Sequence, residues 1–160
     1  TWYAVYTRSR AEKQVDEWLQ KAGIEVYLPL VKTLKQWSDR KKWVEEPLFR
    51  SYVFVHITQA QYYDVLNTAG AVRFVTFEGR AVAIPPQQIE AIRHFVLSGE
   101  QLPDVELDIV PGTKVQIIAG PMKGISGDLI EIMGRKKVRI EIEGLGQSVY
   151  VELPASYIRP

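Results

Sequence analysis

Two histidines are the side chains here best suited to moving a proton near neutral pH, and neither has company. His56 lies in an apolar run and His94 far downstream, with no metal-ligand or triad spacing around either. Glu45 and Glu46 are neighbours in an extended stretch, so their carboxylates diverge instead of forming an acid–base pair. Cysteine is absent, which removes disulfides, thiolate zinc sites and thiol catalysis. Gly144-Leu145-Gly146 lacks the third glycine of a dinucleotide loop and opens no helix. Neither an enzyme nor a cofactor or metal is expected. What remains is binding chemistry, centred on Pro47-Leu48-Phe49-Arg50-Ser51-Tyr52-Val53-Phe54-Val55-His56-Ile57. Its second half reads as a strand with Val53, Val55 and Ile57 on one face and Tyr52, Phe54 and His56 on the other. Both faces are apolar. Such a strand is either covered twice or offers an aromatic face to a partner.

Several elements must hold that strand. Trp2 to Thr7 reads as a first strand. Ser9-Arg10-Ala11-Glu12 matches a capping box, and Ala11, Val15, Trp18, Leu19 and Ala22 continue at helical spacing to a stop at Gly23. Val26 to Trp37 is extended, with Pro29 pointing to an edge or a bulge. Trp37 and Trp43 flank Ser38-Asp39-Arg40-Lys41-Lys42, the basic tip of a protruding hairpin. That hairpin is either a solvated loop whose tryptophans pair across strands or a functional arm. Thr58 to Gln61 is a second capping box, and Tyr62, Val65, Leu66 and Ala69 form a helical stripe ending at Gly70. Val72 to Phe77 and Ala81 to Ile84 are strands, and Pro85-Pro86 opens a third helix carrying Ile89, Ile92, Phe95 and Val96. The order β-α-β-β-β-α-β-β-α matches the split β-α-β pattern of ferredoxin-like sheets.

The 160 residues suit one medium domain or two small ones, with 46 % apolar and 24 % charged side chains. A formal net charge of +1 says nothing about nucleic acid, although residues 1–50 carry ten basic and seven acidic side chains. Residues 98–108 read as an acidic linker, with Glu100, Asp104, Glu106 and Asp108. Beyond it, over 109–160, short alternating runs broken by glycines suggest five strands closed into a small barrel. No apolar run approaches the roughly 20 residues that span a bilayer, and no signal peptide is visible. A soluble cytoplasmic protein without a membrane partner is expected, as a monomer.

Three features together carry a family resemblance: Trp2-Tyr3 with Glu12, the run Glu46 to Val55, and Val110-Pro111-Gly112 with Gly120-Pro121-Met122-Lys123-Gly124 and Gly127. The chain resembles the NusG family of transcription elongation factors, with an N-terminal NusG domain over 1–97 followed by a KOW domain over 109–160. It is similar both to general factors and to operon-specific antiterminators such as RfaH and those of capsule operons. The expected fold class is therefore α+β, a ferredoxin-like domain with a basic hairpin followed by an SH3-like KOW barrel.

The resemblance implies docking on the clamp coiled coil of RNA polymerase, which keeps the clamp closed and reduces pausing or termination. The matching aromatic positions are Tyr6, Phe49, Tyr52 and Phe54. It also implies contact with the displaced non-template DNA strand through Arg8 and Arg10 at the first strand–helix junction, with Lys13 a turn further on. Gln61-Tyr62-Tyr63-Asp64 departs from the hydroxyl-rich run that relatives carry at the second helix. For the KOW domain the implied partners are a small-subunit ribosomal protein or Rho, through Leu145 at a loop tip. The alternating pattern of 110–153 argues for β structure and against refolding into helices. A second reading, of another class, is a ribosome- or RNA-associated KOW protein whose aromatic sheet stacks bases.

Overall fold

The computed structural model describes residues 1–99, 112–132 and 134–160. They form two compact units, Thr1–Ile84 and Pro85–Pro160, and the architecture is mixed α/β.

In the first unit, β1 (Trp2–Thr7) leads through α1 (Glu12–Lys21) to β2 (Glu25–Tyr27). The hairpin strands β3 (Leu30–Gln36) and β4 (Lys41–Pro47) follow, then β5 (Tyr52–His56). A 3-10 turn at Gln59–Gln61 enters α2 (Tyr62–Leu66), and β6 (Ala71–Phe74) completes the main sheet. A small hairpin of β7 (Thr76–Phe77) and β8 (Arg80–Ala81) ends the unit. The four-stranded sheet has the order β2-β5-β1-β6 with every pair antiparallel. Each helix thus links two strands that skip over a neighbour. The long extended segment expected over Val26 to Trp37 divides at Pro29. A proline has no N–H for a ladder, and here its carbonyl accepts the Leu48 amide at 2.9 Å.

Helices cover one face of this sheet. Val5, Val53, Val55, Ile57 and Phe74 pack with Val15 and Leu19 of α1 and Val65 of α2. Burying each such side chain contributes about 1.5–3 kcal/mol, so this cluster is a major source of the unit's stability. The second capping box forms as expected, with Gln61 Oε1 accepting the Thr58 amide at 3.1 Å. The first does not. The helix starts two residues later than Ser9 would place it, and its N-cap is Ala11, which has no polar side chain to cap with. The Glu12 carboxylate accepts the Ser51 amide instead.

The second unit opens with α3 (Pro86–Ser98), which starts on proline and closes at Gly99 with φ 70°. Its strands are β9 (Thr113–Ile117), β10 (Ser126–Ile132), β11 (Arg135–Ile142), β12 (Gln147–Val151) and β13 (Ile158–Arg159). They form one antiparallel sheet in the order β12-β11-β10-β9-β13. Alternation buries Val138, Ile140, Val149 and Val151 in facing pairs. Five strands were expected in a closed barrel, but among the described residues no ladder joins β12 to β13. The two-residue β13 is used up in pairing with the edge of β9. The expected first domain, 1–97, took in α3; in the structure α3 lies against β11 and β12, and Gln88 Oε1 accepts the Glu143 amide at 2.9 Å. The acidic linker expected over 98–108 falls outside the described residues, apart from Ser98 and Gly99. Among the described residues no helix is long and apolar enough to cross a membrane.

Candidate functional site

The sheet face turned away from α1 and α2 carries Trp2, Tyr6, Tyr27, Tyr52, Phe54 and His56, whereas Tyr3 and Phe74 lie on the helix side. Strand alternation and register put Trp2, Ala4 and Tyr6 of β1 beside His56, Phe54 and Tyr52 of β5, with Glu25 and Tyr27 of β2 next in the row. Tyr6 and Tyr52 touch, ring centroids 4.7 Å apart and tilted by 39°. The Arg73 guanidinium, on the neighbouring β6, sits 4.9 Å from the Tyr6 centroid. This is a cation held on an aromatic face. At the other end of the row, Trp2 stacks on His56 at 4.8 Å and His56 Nδ1 lies 2.5 Å from Glu25 Oε2.

The four expected aromatic positions divide into two pairs. Tyr6 and Tyr52 are half-buried and keep surface available for a partner. Phe49 and Phe54 are fully buried and pack edge-to-face at 6.1 Å. A partner cannot reach the two phenylalanines in this structure. Burial, followed by hydrogen bonding to Tyr6, pushes the Tyr52 phenol up to about 12.

That shift has a defined sign. Unfolded, Tyr52 releases its proton near pH 10; folded, it holds the proton to about 12. The unfolded state therefore binds fewer protons in this window, and stability falls as pH rises through it. Tyr52→Phe is expected to lose less stability than the parent between neutral pH and about pH 11, measured by urea unfolding at both. An equal loss in both proteins would mean that Tyr52 titrates as an ordinary phenol.

The turn before β5 depends on Glu12. Its Oε1 accepts the Ser51 amide at 2.8 Å, and the Thr7 amide donates to the Ser51 carbonyl at 2.8 Å. Ser51 has φ 67°, a conformation that non-glycine residues rarely adopt. The buried carboxylate and the end of β1 together hold this turn and so aim Tyr52. Sequence reasoning had Glu12 capping its own helix. The only signal for its real role was an acidic residue facing inward with the apolar stripe.

The cations separate as well. Arg8 and Arg10 are exposed in the β1–α1 turn, where the Arg8 amide donates to the Gly70 carbonyl at 2.9 Å and Arg10 has φ 62°. Lys13 turns away to the hairpin base and donates to the Glu45 carbonyl at 2.7 Å. Leu145, expected as an exposed loop tip, is 8 % exposed and lies within the second unit. The glycines on either side, both with positive φ, tuck it inward. Arg73 went unremarked in the sequence, although it alternates with Phe74 on a strand. Among the described residues no group of three or more His, Asp or Glu side chains could hold a metal ion.

Comparison with known proteins supplies the remaining observation. Residues 1–93 match the family model for NusG, described as transcription termination factor nusG. The chain belongs to the NusG family. The transcription termination/antitermination protein NusG of Streptococcus pyogenes serotype M3 is 30 % identical over 164 residues, covering 95 % of this chain and 91 % of that protein. Its namesake from Lactococcus lactis is 25 % identical, covering 95 % and 88 %. Among solved structures, one titled for domain interaction in Thermotoga maritima NusG covers 98 % of this chain and 94 % of its own, at 28 % identity and TM-score 0.49. Transcription, antitermination and elongation are therefore the setting in which this NusG-family site has to be read.

Proposed function

We propose that this chain is an operon-specific transcription antitermination factor that docks on the clamp coiled coil of RNA polymerase and reduces pausing or termination. The observation that carries the reading is the contacting pair Tyr6 and Tyr52, half-exposed on a face that no helix of the first unit covers, with Arg73 against them. An aromatic pair beside an arginine is the composition of a binding hot spot. The tip of a helical hairpin is a ligand of suitable shape for it. The strand order of the first unit supports the ferredoxin-like reading, and the five-stranded second unit supports a KOW-type module.

Arg8 and Arg10, exposed together at one turn, suit phosphates of the displaced DNA strand. Lys13, engaged at the hairpin, belongs to a different surface. A small-subunit ribosomal protein or Rho remains the partner class of the KOW-type module, reached through surface other than Leu145. The protein acts by binding, not catalysis, as a cytoplasmic monomer.

The test is capture of purified RNA polymerase by the parent protein and by Tyr6→Ala/Tyr52→Ala, whose fold is checked by circular dichroism. Loss of capture by about tenfold or more is expected from removing two hot-spot aromatics. Undiminished capture by the folded variant would sink the assignment of this face. A parent protein that ignores polymerase and binds RNA or ribosomes would replace the whole reading with the RNA-associated one.

A further inference from the structure

The β3–β4 ribbon carries exposed chemistry that neither the sheet core nor the tyrosine pair uses. Leu34 lies opposite Trp43, Lys35 opposite Lys42 and Gln36 opposite Lys41. The Trp37 amide donates to the Arg40 carbonyl at 2.8 Å, extending the ladder by one step. Alternation then puts Leu34, Lys41 and Trp43 on one face, and Lys35, Trp37, Arg40 and Lys42 on the other. The tryptophans do not pair across the strands. They face apart, 43 % and 61 % exposed, with the Arg40 guanidinium 5.7 Å from the Trp37 centroid. Each face of the ribbon thus presents one solvent-facing indole beside cations of the tip.

Charge says what would cover them. The ribbon holds Lys32, Lys35, Arg40, Lys41 and Lys42 against Asp39, Glu45 and Glu46. Two of those acids stand near its base, where Glu46 pairs with Lys35 and, helped by that bond, has its carboxyl held below the usual range. The outer half is left strongly positive. A ligand that satisfies both features must bring anions and flat π-surfaces at short, regular intervals. Single-stranded nucleic acid does so: phosphates release counterions on meeting lysines, and unpaired bases stack on indoles without regard to sequence. An acidic peptide would answer the cations but has no ring for each indole, and duplex bases are already stacked.

We propose that the β3–β4 ribbon binds single-stranded nucleic acid, with bases stacked on Trp37 and Trp43 and phosphates neutralised by Arg40, Lys41 and Lys42. This site is separate from the tyrosine face and does not rest on the polymerase reading.

The test uses the whole protein and a fluorescently labelled single-stranded oligothymidylate, with no polymerase present, read by anisotropy across a salt series. The parent is expected to bind at low salt with quenching of tryptophan emission. Trp37→Ala/Trp43→Ala should weaken binding by about tenfold or more, and Trp37→Phe/Trp43→Phe should recover most of it. Lys41→Gln/Lys42→Gln should flatten the slope of log affinity against log salt by about 1.4. Circular dichroism confirms that each variant folds. A parent that ignores the oligonucleotide overturns the proposal, as does an alanine variant that binds like the parent. Tighter binding of the matching duplex than of the single strand also overturns it.

Discussion

Replacing Phe54 by alanine is expected to lower the unfolding free energy of the first unit by about 3–5 kcal/mol. The ring is fully buried, meets Phe49 edge-to-face at 6.1 Å and lies 6.4 Å from the ring of Tyr27. Its cross-strand partner on β1 is Ala4, whose single methyl cannot fill the space a deleted ring would leave. The cost therefore includes both lost burial and a cavity. Tyr52→Ala, two residues away and half-exposed, should cost clearly less. Urea unfolding followed by circular dichroism reads both. A Phe54→Ala loss below about 1 kcal/mol would show that the ring is not part of the packed interior. The contrast matters for function: a Phe54→Ala variant that fails to bind polymerase says nothing about a contact, whereas a folded Tyr6→Ala/Tyr52→Ala variant does.

Gly127→Ala should destabilise the second unit by about 1–3 kcal/mol or more, even though alanine is the smallest possible change. An added Cβ would stand 2.5 Å from the Arg139 carbonyl oxygen and 2.6 Å from Val138 Cγ1. The oxygen belongs to the backbone of β11, so relief requires moving one strand off its neighbour. That shift would also disturb the adjacent pair, in which Arg139 Nη2 donates to Asp128 Oδ2 at 2.7 Å and the bond holds the guanidinium above its usual range. Ser126→Ala, next along the strand and exposed, serves as the comparison. Thermal unfolding monitored by strand ellipticity provides the measurement. A Gly127→Ala protein that melts with the parent would contradict the close approach of β10 and β11.

Much of this was legible beforehand, for a physical reason. Period-two alternation along 52–57 assigned every side chain to its observed face, because a strand has only two faces. The proline start of α3 and the capping box at Thr58 depend on local backbone chemistry and formed as written. Failures came where a residue's partner is remote. Glu12 satisfies Ser51, thirty-nine positions away, and nothing local distinguishes that bond from a cap. The split between Tyr6 with Tyr52 and Phe49 with Phe54 depends on how much neighbouring mass covers each ring, which composition along one strand does not encode. Leu145 misled for the opposite reason. Flanking glycines signal a turn, but a turn can point its apolar residue inward as readily as outward.

The register of β1 against β5 also bears on how the protein is made. Tyr6 and Tyr52 become neighbours only through that pairing, and Ser51 is held by a carboxylate on the first helix. During synthesis Tyr6 emerges early and waits, with no surface to join, until the chain beyond His56 has been released. Domains generally fold as units as they leave the ribosome, so the tyrosine pair forms only with a finished first unit.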